Sequence, residues 1–408
     1  MSRTSRLRLL GPVLAAVAAA EAGRRLLSPP APPVEPMRVD LQMYFSAEEI
    51  ARGRRYARPQ LALGLAGSVI DLAALALLAR RPPVLLRRHG DRPLAGGAAA
   101  AAGLSLALSL PSLPLRALAR RRSIAVGLDT QTWRAWAGDV AKASVIQTVL
   151  AGGGGALVTA ATRRWPRGWW APAAGGSVVF GAALAALAPV VLEPIFNKFQ
   201  PLPAGETRSD VLELAGAAGV KVGEVYSVDA SRRTTAANAY VSGLGPTKRV
   251  VLYDTLLDRY SRDEIRLVVA HELGHVRHRD VPRSVVYAAI VAPAAALAVQ
   301  RVSWELSEER GTPAALAALA LAAALVSTPI GAVANGLSRA VERRADHFSL
   351  ELAGAPEAFV SFERTIALQN VADLDPPWWV SRLLATHPPT AERIGAAVAF
   401  AQAHAAAA

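Results

Sequence analysis

Two histidines and a glutamate stand at a spacing that could hold a metal ion and use it. His271 and His275 are four residues apart, so on a helix both imidazoles project from one face. Two imidazoles can occupy two corners of the tetrahedron that Zn²⁺ prefers, and the chain has no cysteine to offer instead. Glu272 follows the first histidine, where it could take a proton from an attacking water. The pattern predicts hydrolysis assisted by one zinc ion per chain.

A second acidic pair could complete this site. A catalytic zinc ion needs a third protein ligand and one open position. Glu342 and Asp346 are again four residues apart, after the last long apolar run. We predict that Glu342 is the third ligand and that Asp346 accepts the free N–H of a ligand histidine, which fixes its tautomer. The alternative is a solvated helix face on which the carboxylates pair with arginines.

Three further residues are candidates for contacts with a substrate. His387 and Arg393 could stabilise the negative oxygen that develops during peptide hydrolysis. The alternative for them is a proline-rich turn followed by a helix start. Asn238 opens a predicted hairpin over 238–253, and an extended peptide could add to the edge of that hairpin. Asn238 could equally do no more than cap the end of a strand.

The elements around these residues predict a small α+β unit. Ser261 and Glu264 fit a capping box, so a helix should begin there and carry both histidines. Alternating apolar residues and turn signals predict the rest of the unit. It comprises a helix over Arg208–Ala218, strands over Glu224–Val228, Ala239–Ser242 and Arg249–Tyr253, and a turn over Gly243–Thr247.

Long apolar runs surround this unit. Hydrophobic residues make up 52% of the 408 residues and charged residues only 19%, which is unusual for a soluble protein. Six runs are long enough to cross a bilayer as helices. They lie near 59–79, 94–118, 143–162, 172–196, 284–304 and 313–337. The chain should therefore be an integral, multi-pass membrane protein.

Two features of the membrane part allow alternatives. A weaker run near 9–27 could be a signal peptide or a first spanning helix, and we favour the helix. Asp71 lies inside the run 59–79, where an acid is costly. A functional role and a hydrogen bond between helices both account for it.

The net charge of +13 could reflect nucleic-acid binding, contact with a membrane surface or compositional bias. The arginines lie mainly beside the apolar runs, and no basic helix is interleaved with aromatic residues, so we expect no nucleic-acid partner. Placing 197–282 and the C-terminal region in the cytoplasm puts the arginine-rich loops 24–58 and 116–142 there too. Arginines between 80 and 92 oppose this orientation. We predict an active site that faces the cytoplasm.

The order of several motifs resembles the type I CAAX prenyl endopeptidases, which are integral-membrane zinc metalloproteases. The resemblance covers about 40–396. Its elements are Gln131-Thr132-Trp133, Trp136 and Asp139, then Pro194-Ile195-Phe196-Asn197-Lys198-Phe199, Asn238-Ala239-Tyr240, Lys248–Leu257, His271–His275, Ser338-Arg339 with Glu342 and Asp346, and His387-Pro388 with Arg393. In place of the family's usual aromatic residue and glutamine after the zinc-binding glutamate, this chain has Arg343 and Arg344.

The resemblance implies a mainly α fold, a polytopic bundle of about seven spans that encloses a water-filled chamber, with a zincin-like α+β catalytic insert. It implies zinc at His271, His275 and Glu342, and catalysis by Glu272. It also implies substrate contacts, which we assign to Asn238, Tyr240, His387 and Arg393. We divide the chain into a membrane region 1–196 with spans one to five, the insert 197–282, spans six and seven in 283–337, and a helical region 338–408 that supplies the third ligand.

These features predict a membrane-embedded zinc endopeptidase of a bacterial plasma membrane. Its substrates would be membrane-associated or lipid-modified peptides or proteins, and the bilayer its other partner. One alternative is a heat-shock-type protease that degrades misfolded membrane proteins. A second alternative is a zinc-binding membrane scaffold or transporter without proteolysis, although a structural zinc site has no need of the general base Glu272.

Overall fold

The computed structural model describes residues 3–87, 92–243 and 248–407, and most of them are helical. The predicted turn over Gly243–Thr247 falls, apart from its first residue, outside the described residues. The helices of the N-terminal half are α1 (Arg3–Leu27), α2 (Ala47–Arg80), α3 (Val84–Arg87), α4 (Pro93–Ala125), α5 (Trp133–Arg164), α6 (Trp170–Leu187) and α7 (Glu193–Phe196). Those that follow are α8 (Glu206–Ala217), α9 (Asp254–Arg259), α10 (Arg262–Arg277), α11 (Asp280–Leu306), α12 (Leu316–Ala353), α13 (Pro356–Gln369) and α14 (Thr390–Ala407).

Six of these helical segments are long and apolar enough to cross a membrane. They are Ala47–Arg80, Pro93–Ala125, Trp133–Arg164, Trp170–Phe196, Asp280–Leu306 and Pro313–Ala353. Each contains one of the six strong apolar runs, which confirms that prediction. The weaker run lies in α1, which packs along α11 and α12. α1 is not among these six, so its role as a first spanning helix stays a prediction.

The six spans contact one another in a closed order. α6 packs against α11, α11 against α12, α12 against α2, α2 against α4, and α4 against α5, which in turn contacts α6. Glycines bring α4 and α5 together, because a Cβ atom on Gly155 would lie 2.5 Å from the Gly97 carbonyl oxygen. Only 0% to 33% of each apolar window is buried. Most of each apolar window is thus exposed, as expected for helices that face lipid.

A four-stranded sheet forms the second part of the fold. Its strands are β1 (Phe199–Pro201), β2 (Glu224–Val228), β3 (Ala239–Ser242) and β4 (Arg249–Tyr253), in the order β1-β2-β4-β3. β2 and β4 are parallel, whereas β3 and β4 form an antiparallel hairpin. The predictions of all three long strands are thus confirmed. β3 lies at the edge of the sheet, so one of its sides is free to pair.

The core of this unit lies between the sheet and the helices α8 and α10. Val225, Val250 and Leu252 from the strands are fully buried, and Leu214 and Leu273 from the helices pack in the same cluster. This packing holds α10 against one face of the sheet and fixes where its histidines point.

Two features of the helices bring distant residues together. α10 begins with the predicted capping box, in which Ser261 and Glu264 bond each other's backbone N–H groups. It ends where Arg279 adopts a left-handed conformation, with φ of 57°, so that α11 starts in a new direction at Asp280. α12 runs unbroken from the membrane part to Ala353 and carries Glu342 to α10.

Candidate metal centre

The two helices that carry the predicted ligands pack closely. α10 lies against α12, and a Cβ atom on Gly274 would lie 3.1 Å from Cδ1 of Phe348. Glycine in the His-Glu-Leu-Gly-His segment therefore permits the approach that brings Glu342 to the two histidines. Such a contact is set by tertiary packing, since 66 residues lie between His275 and Glu342 in the chain.

The structure brings His271, His275 and Glu342 together. The two Nε2 atoms lie 3.1 Å apart, and Glu342 Oε2 and Oε1 lie 3.3 Å and 3.7 Å from Nε2 of His271 and His275, respectively. Adjacent corners of a zinc tetrahedron are about 3.3 Å apart when the zinc–ligand bonds have their usual length. These three side chains could therefore hold one metal ion with little rearrangement.

The outer nitrogens of both imidazoles face carboxylates. Nδ1 of His271 lies 2.9 Å from Asp346 Oδ1, and Nδ1 of His275 lies 2.9 Å from Asp280 Oδ2. An ionised carboxylate only accepts, so we assign the proton of each neutral imidazole to Nδ1. The lone pairs on the two Nε2 atoms then point toward each other and toward Glu342. A metal ion between them, or a proton on one of the two Nε2 atoms, would relieve the repulsion.

The electrostatics of the site favour a positive charge at this place. Burial lowers the pKa of the His271 imidazolium, but the contacts with Asp346 and Glu342 raise it to about 10, well above its usual 6.5. Glu342 is 8% exposed, and its Oε2 atom has no hydrogen-bond partner among the described residues. A buried carboxylate without a hydrogen bond is costly unless a cation is bound to it. The donor set therefore fits a divalent metal ion.

A cavity of about 130 Å³ opens beside the metal centre and gathers the other predicted residues. Its polar wall consists of Asn238, His271, Glu272, His387 and Arg393. Burial raises the pKa of Glu272 above that of an ordinary glutamate, whereas the two histidines act in the opposite direction. The cavity therefore places a candidate base, a histidine and an amide around one small volume.

His387 and Arg393 reach the site in different ways. The side chain of His387 is 61% exposed, and its Nε2 lies 3.3 Å from Glu342 Oε2, next to the metal centre. Arg393 donates two hydrogen bonds to Asp346, of 2.8 Å and 2.6 Å, and also pairs with Glu363. Arg393 thus fixes the position of the Asp346 carboxylate. A direct contact of Arg393 with the developing oxyanion stays a prediction.

The two predicted substrate contacts on the hairpin lie apart. Asn238 precedes β3 and is exposed at the cavity, where its Oδ1 accepts the N–H of Ala239. Tyr240 packs on the opposite face of the sheet from Ala239, and its hydroxyl donates to Glu193 Oε2 at 2.7 Å. The structure therefore does not bring Tyr240 to the metal centre, because successive residues of a strand face opposite sides.

Two residues that the sequence did not single out, Asp280 and Glu363, support the centre. Asp280 contacts His275 and forms an ion pair with Arg344, one of the two arginines that depart from the resemblance. Glu363 is 2% exposed and pairs with Arg393. Asp280 lies five residues after His275, a spacing that does not place two side chains on one helix face. Its contact with His275 depends on the left-handed backbone at Arg279, which the sequence does not show.

We expect that Asp280→Asn weakens zinc binding by about 10- to 100-fold, since the partner of a ligand imidazole sets its tautomer and basicity. Zinc affinity measured by competition with a chelator checks this. Asp258→Asn, an exposed site in the same unit, is the matched control and should leave the affinity unchanged. Equal affinities in both variants would show that Asp280 has no influence on the centre.

Comparison with known proteins places this geometry in a family. Residues 201–401 match the family model described as Peptidase family M48, and residues 34–198 match that of the CAAX prenyl protease N-terminal region with five membrane helices. The uncharacterized metalloprotease YhfN of Bacillus subtilis is 31% identical over 300 residues, which cover 71% of this chain and 70% of YhfN. The chain belongs to peptidase family M48. It is therefore a multi-pass membrane protein of a metalloprotease family.

Other relatives of this M48 protein carry two kinds of name. A CAAX prenyl protease 1 homolog of Oryza sativa is 32% identical over 216 residues, about half of each chain. A protease HtpX homolog of Ralstonia pickettii is 31% identical over 211 residues, 47% of this chain and 72% of that protein. The crystal structure of S. mikatae Ste24p shares the fold, with a TM-score of 0.77 over 97% of this chain and 100% of that one, at 20% identity.

Proposed function

We propose that this M48 protein is a zinc endopeptidase that hydrolyses membrane-associated or lipid-modified peptides with a water activated by Glu272. The observation that carries the proposal is the convergence of three ligand atoms within 4.8 Å beside a cavity that Glu272 lines. A site that only held a metal would need no additional carboxylate there. Membership in a peptidase family and the fit of the donors to zinc support the same conclusion.

The side chains divide the work of hydrolysis. Zinc, when bound, supplies a Lewis acid that makes a coordinated water more acidic and polarises the scissile carbonyl. Glu272 takes a proton from the attacking water and returns it to the leaving amine. His387, exposed beside Glu342, is placed to donate a hydrogen bond to the developing oxyanion. Asp346 and Arg393 keep His271 in the tautomer that binds metal.

The experiment for this proposal uses the purified chain in lipid nanodiscs with a fluorogenic peptide, with and without a C-terminal lipid anchor. We expect cleavage that a zinc chelator abolishes and added Zn²⁺ restores, with faster turnover of the anchored peptide. One defined product indicates a specific endopeptidase, whereas many fragments favour the alternative of a heat-shock-type protease that degrades misfolded membrane proteins. Cleavage that persists in chelator contradicts the proposal.

The edge strand β3 offers a place for the substrate backbone. An extended peptide can add to a free strand edge, and Asn238 at the start of β3 lines the cavity next to His271. We infer that the Asn238 amide donates a hydrogen bond to a substrate carbonyl.

Replacement of Asn238 tests this inference. We expect that Asn238→Ala and Asn238→Asp each raise KM roughly five- to tenfold, the loss typical of one hydrogen bond. Asn238→Asp keeps the oxygen that accepts the Ala239 N–H and loses only the amide donor. Steady-state kinetics on one peptide distinguish the roles. Normal kinetics in the aspartate variant together with a defect in the alanine variant would leave Asn238 as a strand cap only.

We also propose that the metal centre faces the cytoplasm. The arginine-rich loops 24–58 and 116–142 lie at the same end of the spans as the metal centre, and such loops are typically cytoplasmic. The chain has no native cysteine, so single introduced cysteines report topology cleanly. In intact cells, Asp258→Cys should resist a membrane-impermeant maleimide and Arg81→Cys, beyond the other end of α2, should react. The reverse labelling pattern would place the active site outside.

A further inference from the structure

Another cavity lies at the end of the bundle that is remote from the metal centre. Its volume is about 620 Å³. It is formed by the C-terminal end of α5, the connection to α6, the end of α11 and the beginning of α12. Four arginines line it, namely Arg163, Arg167, Arg301 and Arg310, together with Trp304. We call it the arginine cavity.

The four guanidinium groups lack anionic partners among the residues that the structure describes. None of them lies within 4.0 Å of a described carboxylate oxygen, although most of the other interhelical arginines near the metal centre form such pairs. The acid in the cavity wall, Glu309, accepts a hydrogen bond from Thr312 at 3.3 Å. Four guanidinium groups and one carboxylate leave the cavity wall with an excess of positive charge, which would stabilise an anion in that space.

An aromatic ring holds two of the arginines in place. The guanidinium carbons of Arg301 and Arg310 lie 5.7 Å and 4.8 Å from the centre of the Trp304 ring. Cation–π contacts of this kind restrict the side chains without neutralising their charge. Arg301 and Arg310 therefore keep their charge and their hydrogen-bond donors.

The position of the arginine cavity indicates the kind of anion. It lies where the apolar parts of α5, α11 and α12 end, which is the depth of the lipid headgroups. Its wall includes the apolar residues Ala315, Ala318 and Leu319 of the first turns of α12 and the segment before it, beside the polar arginines. A ligand with a charged end and an apolar end would match both parts.

We propose that the arginine cavity binds the phosphate group of an anionic phospholipid, whose acyl chains continue along α12 into the bilayer. Arginine is suited to this ligand because its planar fork donates two parallel hydrogen bonds to phosphate oxygens. A soluble phosphate would satisfy the same donors but not the apolar wall. This site is independent of the peptidase reaction.

The test is native mass spectrometry of the delipidated full-length protein titrated with phosphatidylglycerol. The cavity variant carries Arg163→Gln, Arg301→Gln and Arg310→Gln. We expect its apparent affinity for phosphatidylglycerol to fall by at least about tenfold, given the usual contribution of a basic residue to binding an anionic lipid. Millimolar inorganic phosphate should not displace the lipid from the wild type.

The matched control removes the same charge at the same end of the bundle outside the cavity, through Arg80→Gln, Arg81→Gln and Arg164→Gln. Its affinity should change by less than about twofold. If both variants lose the same affinity for phosphatidylglycerol, the loss reflects surface charge alone and the proposal is overturned. If inorganic phosphate displaces the lipid, the cavity is a site for soluble anions, and the proposal that a phospholipid is its ligand is overturned. Circular dichroism verifies that each variant folds.

Discussion

Replacing Glu272 with glutamine is expected to lower kcat by about 10²- to 10⁴-fold, the usual contribution of a general acid–base group. The substitution keeps the size of the side chain and removes its ability to take a proton. Because Glu272 lines the cavity without belonging to the three converging ligands, the variant should still bind one zinc ion per chain. Peptide cleavage and zinc content, measured on the same preparation, check both parts.

The matched control for this variant is Glu213→Gln, an exposed glutamate of α8 in the same unit. It should cleave the peptide at the wild-type rate. If Glu272→Gln and the wild type cleave equally, Glu272 is not the base. If neither cleaves any peptide while both bind zinc, the chain is better described as a zinc-binding scaffold or transporter.

The second large effect is expected from Glu342→Gln, which should weaken zinc binding by more than about 100-fold, beyond the loss seen for residues that only support a ligand. Among the described residues, Glu342 is the carboxylate that faces Nε2 of both histidines, at 3.3 Å and 3.7 Å. An amide oxygen is a poorer donor and carries no charge to offset that of the ion. Zinc content after dialysis against a chelator should fall from one per chain to nearly zero, and activity with it.

Excess zinc and a control variant separate ligation from folding in this experiment. Partial recovery of activity at high zinc concentration is expected if Glu342→Gln only weakens the site. Glu351→Gln lies on the same helix, is 57% exposed and should retain metal and activity. A Glu342→Gln protein that holds zinc as tightly as the wild type would exclude Glu342 as a ligand.

The sequence predicted well those features that depend on local periodicity. The six spans, three strands and the capped helix α10 follow from apolar patterns and from one Ser–Glu spacing, and the structure has them all. The pairs His271 and His275, and Glu342 and Asp346, were visible because residues four apart share a helix face. Their convergence was implied by resemblance, whereas the close packing at Gly274 is visible only in three dimensions.

The residues that the sequence did not reveal depend on contacts between distant elements. Asp280 reaches His275 only because Arg279 turns the chain through a left-handed conformation that glycine usually adopts. Glu363 meets Arg393 through the packing of α13 against α14. Tyr240 follows Asn238 by two residues, but it packs on the face of the sheet opposite Ala239, where its hydroxyl contacts Glu193. No local sequence pattern indicates these three contacts.

Diffraction data from crystals of the wild-type protein, collected on both sides of the zinc absorption edge, test the central claim most directly. The account predicts one anomalous peak, at about 2.0–2.1 Å from Nε2 of His271 and of His275 and about 2.0–2.2 Å from a carboxylate oxygen of Glu342. A peak elsewhere, or a zinc ion that leaves Glu342 uncoordinated, would contradict it.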